Sequence, residues 1–232
     1  MSDHWVASDR FATLAAALHD EPDVAETLDS VLRNAVEAIG CHSCGVMFVH
    51  GGGRIEIAGV SDPVLEEIDW IQILVDSGPD LEAISQGTPV LVRDATEETR
   101  WPHWASAVRA VGMRSLLAIP MATPVTTVGT LNLYDPEPDR FDVDDIAVGR
   151  IFAQHAAVAL ATARNLENVW LAVDARKIVG QAQGILMERF QLEADQALQV
   201  LVRYSRDTNT RLRQVAETVI ESRSLPPRRR DH

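Results

Sequence analysis

Apolar positions along this chain change period several times, and each change marks an element. Phe11, Leu14, Ala15 and Leu18 recur at helical spacing, and Val24, Leu28, Val31, Leu32, Ala35 and Ile39 repeat it after Glu21-Pro22-Asp23. Two amphipathic helices are predicted there. Short runs rich in Val, Ile and Leu follow at 45–49, 54–60, 89–93, 114–121 and 128–134, and predict strands. Gly51-Gly52-Gly53, Gly87 and Pro124 punctuate them, and the glycine triplet reads as a hairpin turn. Helical spacing returns over 63–85, and 101–111 predicts a further short helix before Gly112. Helices set between antiparallel strands predict an α+β domain, a central sheet with helices on it.

The rest of the pattern is helical. Asp142 or Asp144 is placed to cap a helix running from about Val143 through Asn168 and beyond. Val148, Phe152, His155, Ala159, Thr162, Leu166, Val169 and Val173 alternate spacings of four and three, the seam of a coiled coil, which predicts a homodimer. His155 and Thr162 make that seam polar in places, so a change of register between partners is physically accessible. Three amphipathic helices close the chain. On the first, Ile178, Ala182, Ile185, Leu186 and Arg189 form one stripe, with the arginine stem at its end. The second, from Ala194 to about Thr208, turns Ala197, Leu198, Leu201 and Ser205 inward. The third, capped by Asn209 or Thr210, buries Leu212, Val215, Ala216 and Val219.

Composition changes this picture in two ways. The chain has 232 residues, 46% of them hydrophobic, enough for one ordinary core and a small second unit. Its formal net charge is −13, yet residues 168–232 hold 11 Lys and Arg against 8 Asp and Glu, net +3, which leaves −16 on what precedes them. Phosphate binding answers to the local field of one face, so an acidic total does not exclude nucleic acid. Cys41 and Cys44 are the only cysteines, too few for a disulfide framework and in keeping with a reducing compartment. The start, Met1-Ser2-Asp3-His4-Trp5, lacks the basic and apolar regions of a signal peptide, and no uninterrupted apolar run approaches ~18 residues. A cytoplasmic protein with no membrane partner is expected.

Five blocks carry a family resemblance. They are Gly78-Pro79-Asp80-Leu81-Glu82-Ala83-Ile84, Gly87-Thr88-Pro89-Val90, Arg100-Trp101-Pro102, Gly112 through Met121, and Gly129-Thr130-Leu131-Asn132-Leu133-Tyr134. In that order they resemble the landmarks of GAF domains, over residues 20–165. The resemblance implies a sensory module with a six-stranded or similar antiparallel sheet and a pocket for a small-molecule ligand between the sheet and its covering loops. It names neither ligand nor cofactor.

A second set begins at Ala175-Arg176-Lys177-Ile178 and continues through Gln181-Ala182-Gln183-Gly184-Ile185-Leu186-Met187-Glu188-Arg189. It ends with Ser205-Arg206-Asp207-Thr208-Asn209 and Leu212-Arg213-Gln214-Val215-Ala216. These blocks resemble the ANTAR domain of bacterial transcription antiterminators. The resemblance implies a dimer in which each ANTAR module grips one of two tandem RNA hairpins in a nascent leader, so that a competing terminator does not form. The expected organisation is then an N-terminal helix over 1–19, the GAF domain over 20–165, and a linking coiled-coil helix over 142–174 that overlaps its end. The ANTAR three-helix bundle follows over 168–225, with a disordered basic tail over 226–232 holding Arg228-Arg229-Arg230.

Within the bundle, Arg176, Lys177, Arg203, Arg206, Arg211 and Arg213 are expected on exposed positions, where they hold phosphates and stack on unpaired bases. Gln181, Gln183, Gly184, Ser205 and Thr208 stand in the matched blocks and are expected to meet RNA beside them. The family pattern usually has Ala-Lys-Gly where this chain has Ala182-Gln183-Gly184. Glutamine hydrogen-bonds a base edge or phosphate but releases no counterion, so the salt dependence of binding is expected to flatten. Gly180 and Gly184 each cost ~0.8–1 kcal/mol relative to alanine inside a helix. Close packing of a neighbouring helix is expected to offset that at Gly180, and approach of RNA at Gly184.

Other chemistry is sparse. Cys41-His42-Ser43-Cys44 has CxxC spacing, but in an extended strand the two thiols point to opposite faces and no second pair completes a metal site. Core thiols are the plain reading, and redox sensing by Cys41 and Cys44 is the alternative. That alternative keeps open a thiol-dependent enzyme resembling the GAF-type free methionine sulfoxide reductases, which place their thiols differently. His103 between Trp101 and Trp104 reads as a packed loop, Asp94, Glu97 and Glu98 as an acidic loop surface, and Gly51–Gly53 lacks the Lys-Ser/Thr of a phosphate loop. No catalytic set and no metal site emerge, so a non-enzymatic regulator is expected. A third reading leaves the C-terminal helices to protein association alone.

Overall fold

A computed structural model of the chain describes residues 23–223. The helix expected over 1–19 and the tail expected over 226–232 lie outside the described residues. The chain divides into two compact units at Asn165 and Leu166.

The first unit opens with α1, Val24–Ile39, whose N-cap Asp23 accepts a hydrogen bond from the Glu26 backbone N–H at 2.8 Å. It stops at Gly40, in the left-handed region at φ 70°. β1 (Ser43–Val49) and β2 (Ile55–Val60) form the expected hairpin, with Gly52 and Gly53 at φ 79° and 78° in its turn. The helical stretch expected over 63–85 is two helices, α2 (Val64–Val75) and α3 (Pro79–Gln86). Asp76 takes φ 50° between them, and Pro79 disfavours helix at the residue before it while fitting the first turn of its own. β3 (Val90–Val92), α4 (Pro102–Ala110), β4 (Ser115–Ala122) and β5 (Thr127–Asp135) complete a five-stranded antiparallel sheet in the order β2-β1-β5-β4-β3.

Strand alternation sorts the side chains into two layers. Cys44, Val46, Phe48, Leu117, Ile119, Met121, Leu131 and Leu133 face α1 and the first turns of α5 (Val143–Phe190). Asp142 starts α5, accepting from the Asp144 and Asp145 backbone N–H groups at 2.8 and 3.0 Å. Those bonds hold its carboxyl below the ordinary range. On the opposite face Val90, Val92, Leu116, Ala118 and Tyr134 pack with Leu65, Ile68, Ala83, Trp104 and Val108 from α2, α3 and α4.

The coiled-coil seam needs correcting. Phe152 and Ala159, two of its expected members, are buried in the first layer. Spacings of three and four also suit a helix lying on a sheet, and the early turns of α5 serve that purpose. By length and composition α5 would pass as a membrane span. Its Phe152, Ala153, Ala156, Ala157 and Leu160 are instead covered by the sheet.

The second unit consists of the end of α5, α6 (Ala194–Asp207) and α7 (Leu212–Ser222). The first of the three expected C-terminal helices is thus the close of a 48-residue helix. Ala182, Leu186, Ala197, Leu201, Tyr204, Val215, Ala216 and Val219 form the core. Tyr204 takes the place expected of Ser205, because at residue 204 the helix turns farther toward the centre of the stripe begun by Ala197 and Leu201. Neither Asn209 nor Thr210 caps α7: Asn209 takes φ 48° in the turn, and the Thr210 hydroxyl donates to the Thr208 carbonyl.

Candidate nucleic-acid interface and sensory interior

Residues 176, 177, 180, 181 and 184 fall on one side of α5, opposite Ala182 and Leu186, which point into the core. Arg176, Lys177, Gly180, Gln181 and Gly184 are all exposed, and neither Arg176 nor Lys177 has an ion pair among the described residues. A Cβ added at Gly180 or Gly184 would meet nothing within 4 Å. The packing expected to explain Gly180 is therefore not found among the described residues, and there both glycines leave the helix face bare. Arg206 in the last turn of α6 and Arg211 just before α7 are also exposed and unpaired among the described residues. Among the described residues Arg203 makes a loose i,i+4 approach to Asp207 at 3.9 Å.

Four expected contacts are held inside the unit. Arg213 is half-buried and bridges Asp174 and Glu217, each at 2.9 Å. The Gln183 amide donates to the Ala194 carbonyl at 3.1 Å and ties α5 to the start of α6. The Ser205 hydroxyl donates to the Thr210 carbonyl at 2.6 Å, and the Thr208 hydroxyl to the Tyr204 carbonyl at 2.8 Å. These groups shape the connection between α6 and α7. Sequence register puts them on the matched blocks, but their direction depends on neighbours that register does not show.

The cysteines are core residues. Cys41 precedes β1, so strand alternation does not separate it from Cys44, and both thiols lie in the same apolar layer. Burial pushes each up to about 12, and Cys44 Sγ donates to the Leu32 carbonyl at 3.3 Å. Neutral thiols are poor nucleophiles, which speaks against redox work near neutral pH. The acidic loop is also not simply solvated. Arg114 pairs with Asp94 and holds its carboxyl down at about 2, and Arg100 pairs with Glu98 at 2.7 Å. Trp101 and Trp104 pack edge to face with centroids 6.3 Å apart, but His103 and Trp104 lie in the first turn of α4 with Trp101 at its N-cap, not in the packed loop expected.

The α2–α4 side of the sheet carries a group of residues that sequence reasoning passed over. Asp69 on α2, Asp80 on α3 and Asn132 on β5 are fully buried. The Tyr134 hydroxyl donates to Asp69 Oδ1 at 2.8 Å. Gln72, three residues beyond Asp69, donates to Asp80 Oδ2 and accepts from the Asp80 backbone N–H at 3.0 Å. Glycines make the room: a Cβ at Gly45 would stand 3.0 Å from Asp69 Oδ2, and one at Gly78 would stand 2.1 Å from Gln72 Oε1. Burial pushes the Asp69 carboxyl up to about 7, against the lowering influence of Tyr134 and Asn132. Burial, with Asp69 nearby, raises Asp80 well above its ordinary range.

Several polar atoms here make no close hydrogen bond among the described residues: Asp69 Oδ2, Asp80 Oδ1, Trp104 Nε1, Thr130 Oγ1, and both amide atoms of Asn132. Each such group costs ~1–3 kcal/mol when left unpaired, so a concentration of them on one face is unusual for a closed core. The sequence does carry a signal. Thr130, Asn132 and Tyr134 alternate with Leu131 and Leu133, which puts a polar row on one face of a central strand.

These features define a regulatory protein with a sensory α+β module followed in the chain by a small helical module bearing a basic face. The GAF domain model matches residues 21–161, and the ANTAR domain model matches residues 167–220. The chain belongs to the GAF domain family, with an ANTAR domain after the GAF domain, an architecture of signal transduction and transcription regulation. No curated protein matches it. Among solved structures it is similar to the free methionine-R-sulfoxide reductase of Neisseria meningitidis in complex with its substrate. That match has 16% identity and a TM-score of 0.55 over 71% of this chain and 94% of that one. The GAF domain of a phosphoenolpyruvate-protein phosphotransferase from Coxiella burnetii matches at 16% identity and TM-score 0.56, over 68% and 95%. The GAF domain of the cyanobacteriochrome TePixJ matches at 16% and 0.55, over 63% and 94%. At these identities the likeness is one of fold.

Proposed function

We propose that this chain is a cytoplasmic, signal-responsive transcription antiterminator that binds tandem leader hairpins as a homodimer, with a small-molecule ligand in its GAF domain. The observation that carries the RNA reading is the bare side of α5, where Gly180 and Gly184 stand open between Arg176, Lys177 and Gln181. Helix glycines without an internal packing reason suit a surface that another backbone approaches closely. Cations without carboxylate partners suit phosphate and unpaired bases. Arg206 and Arg211 add to that surface, with Arg203 beside them; Gln183, Ser205, Thr208 and Arg213 support it from within.

The dimer is supported by Leu166, Val169, Trp170 and Val173, which follow one another at helical spacing on one side of α5 and are exposed. A thiol-dependent enzyme is less well supported, since both thiols are buried and neutral at physiological pH.

The test is titration of the full chain with a tandem-hairpin leader RNA and with each hairpin alone, over a range of salt. Tight binding to the tandem RNA, with a salt slope that falls by ~0.7–0.9 for each of Arg176→Gln, Lys177→Gln and Arg211→Gln, is the expected result. Absence of any RNA binding at low salt would leave the helices to protein association.

A further inference from the structure

The sensory reading gives the GAF domain a small ligand, and the buried group between β5, α2, α3 and α4 narrows the chemistry of that ligand. Resting on that reading, we propose that Asp69, Asp80 and Asn132 receive the primary ammonium group of a small metabolite that carries an oxygen acceptor close to its nitrogen.

Three unpartnered acceptors stand in this interior, Asp69 Oδ2, Asp80 Oδ1 and the Asn132 amide oxygen, and an ammonium offers three N–H donors. Beside them the Trp104 indole N–H and the Asn132 amide nitrogen make no close hydrogen bond among the described residues, and both are placed to meet an oxygen on the same occupant. The groups converge. Tyr134 joins Asp69 by a hydrogen bond, the Asn132 amide N–H is directed at the Asp69 carboxyl and the Trp104 indole N–H at the Tyr134 hydroxyl, and Asp80 is near enough to act on Asp69 through its charge.

Charge selects among the classes of ligand. The titratable groups facing one another are Asp69 from α2, Asp80 from α3 and Tyr134 from β5, with Gln72, Asn132 and Trp104 as neutral neighbours. No basic side chain among the described residues acts on them. An anion would face two carboxyls, and a neutral ligand would leave their charge uncompensated once ionised. A metal ion is disfavoured because no group of three His, Cys, Asp or Glu residues is gathered among the described residues. Two open hollows on this unit, of about 630 Å³ beside Arg150 and Gln154 and about 490 Å³ beside Asp29 and Arg33, hold no comparable set of unpaired buried atoms.

Placing an ammonium here requires carboxylates, while burial favours the protonated carboxyls of the free protein, so binding releases protons and strengthens as pH rises through the neutral range. The experiment uses the full chain and three probes of one shape: 2-methoxyethylammonium, methoxyacetamide and methoxyacetate, followed by calorimetry in buffers of different ionisation enthalpy. The expected result is binding of the ammonium only, with proton release at pH 7 and tighter binding at pH 8 than at pH 6. The affinity should fall roughly tenfold or more in Asp80→Asn and in Asp69→Asn. For the wild-type chain, a flat pH profile of ammonium binding overturns the proposal without recourse to any variant. Binding of the amide or the acid in place of the ammonium overturns the cation class and leaves a ligand pocket standing. Binding of none of the three overturns the site itself. RNA titration of the same samples reports separately on the C-terminal module.

Discussion

At the scale of single residues, the buried carboxyls of the GAF domain set a dependence of stability on pH. Asp69 ionises near pH 7 when folded and near 3.8 when exposed in the unfolded chain. Between those values the folded state keeps a proton that the unfolded state has lost, so the stability associated with Asp69 is greatest at low pH and falls as pH rises toward 7. Asp69→Asn retains an acceptor for Tyr134 and removes the titration. Urea unfolding from pH 5 to 8 should therefore show the variant gaining on the wild-type chain as pH rises; a constant difference would contradict the assignment. Gly78 bears on the same group. An alanine methyl there would stand within 2.5 Å of Gln72 Oε1, Cγ and Cδ, so the whole buried side chain has to move and its bonds to Asp80 break. Gly78→Ala is expected to cost ~2–4 kcal/mol in urea unfolding.

At the scale of elements, α5 shows how one period serves two purposes. Its early turns place Phe152 and Ala159 against the sheet, whereas its last turns place Ala182 and Leu186 in the core of the second unit. Spacings of three and four along the whole helix do not say which partner each turn meets, which is why the seam pattern includes Phe152 and Ala159. Gly184 provides the sharpest test at this scale. With nothing near its would-be methyl, Gly184→Ala should stabilise the C-terminal helices by ~0.8–1 kcal/mol, read by thermal or urea unfolding. The same change should weaken hairpin binding, because the methyl enters the face proposed to meet RNA. A variant that is more stable and binds RNA as well as the wild-type chain would mean that Gly184 has no part in recognition.

For the whole molecule, the question is how many chains act together. Leu166, Val169, Trp170 and Val173 leave a strip of apolar surface on α5, Trp170 being 70% exposed. Trp170→Glu is expected to shift sedimentation from dimer to monomer at micromolar concentration and to lose preference for tandem over single hairpins. An unchanged sedimentation coefficient would remove this strip as a dimer contact. Much of this architecture is legible in the order of residues. Helical and strand periods place α1, the five strands and the last two helices to within a few residues, because a period of 3.6 or 2 is written in consecutive positions. The glycine triplet marks the hairpin, whereas the helical spacing over 63–85 hides the break between α2 and α3.

The particular partners are not written there. Asp69 meets Tyr134 across 65 positions, Arg213 meets Asp174, and Gln183 meets Ala194, each through backbone paths that local pattern does not trace. So order along the chain settled which elements form and which family they belong to, since those follow from neighbours in sequence. Packing alone settled which carboxyls lose water, which arginines stay unpaired among the described residues, and which glycines face open space, because burial and pairing are properties of distant residues brought together.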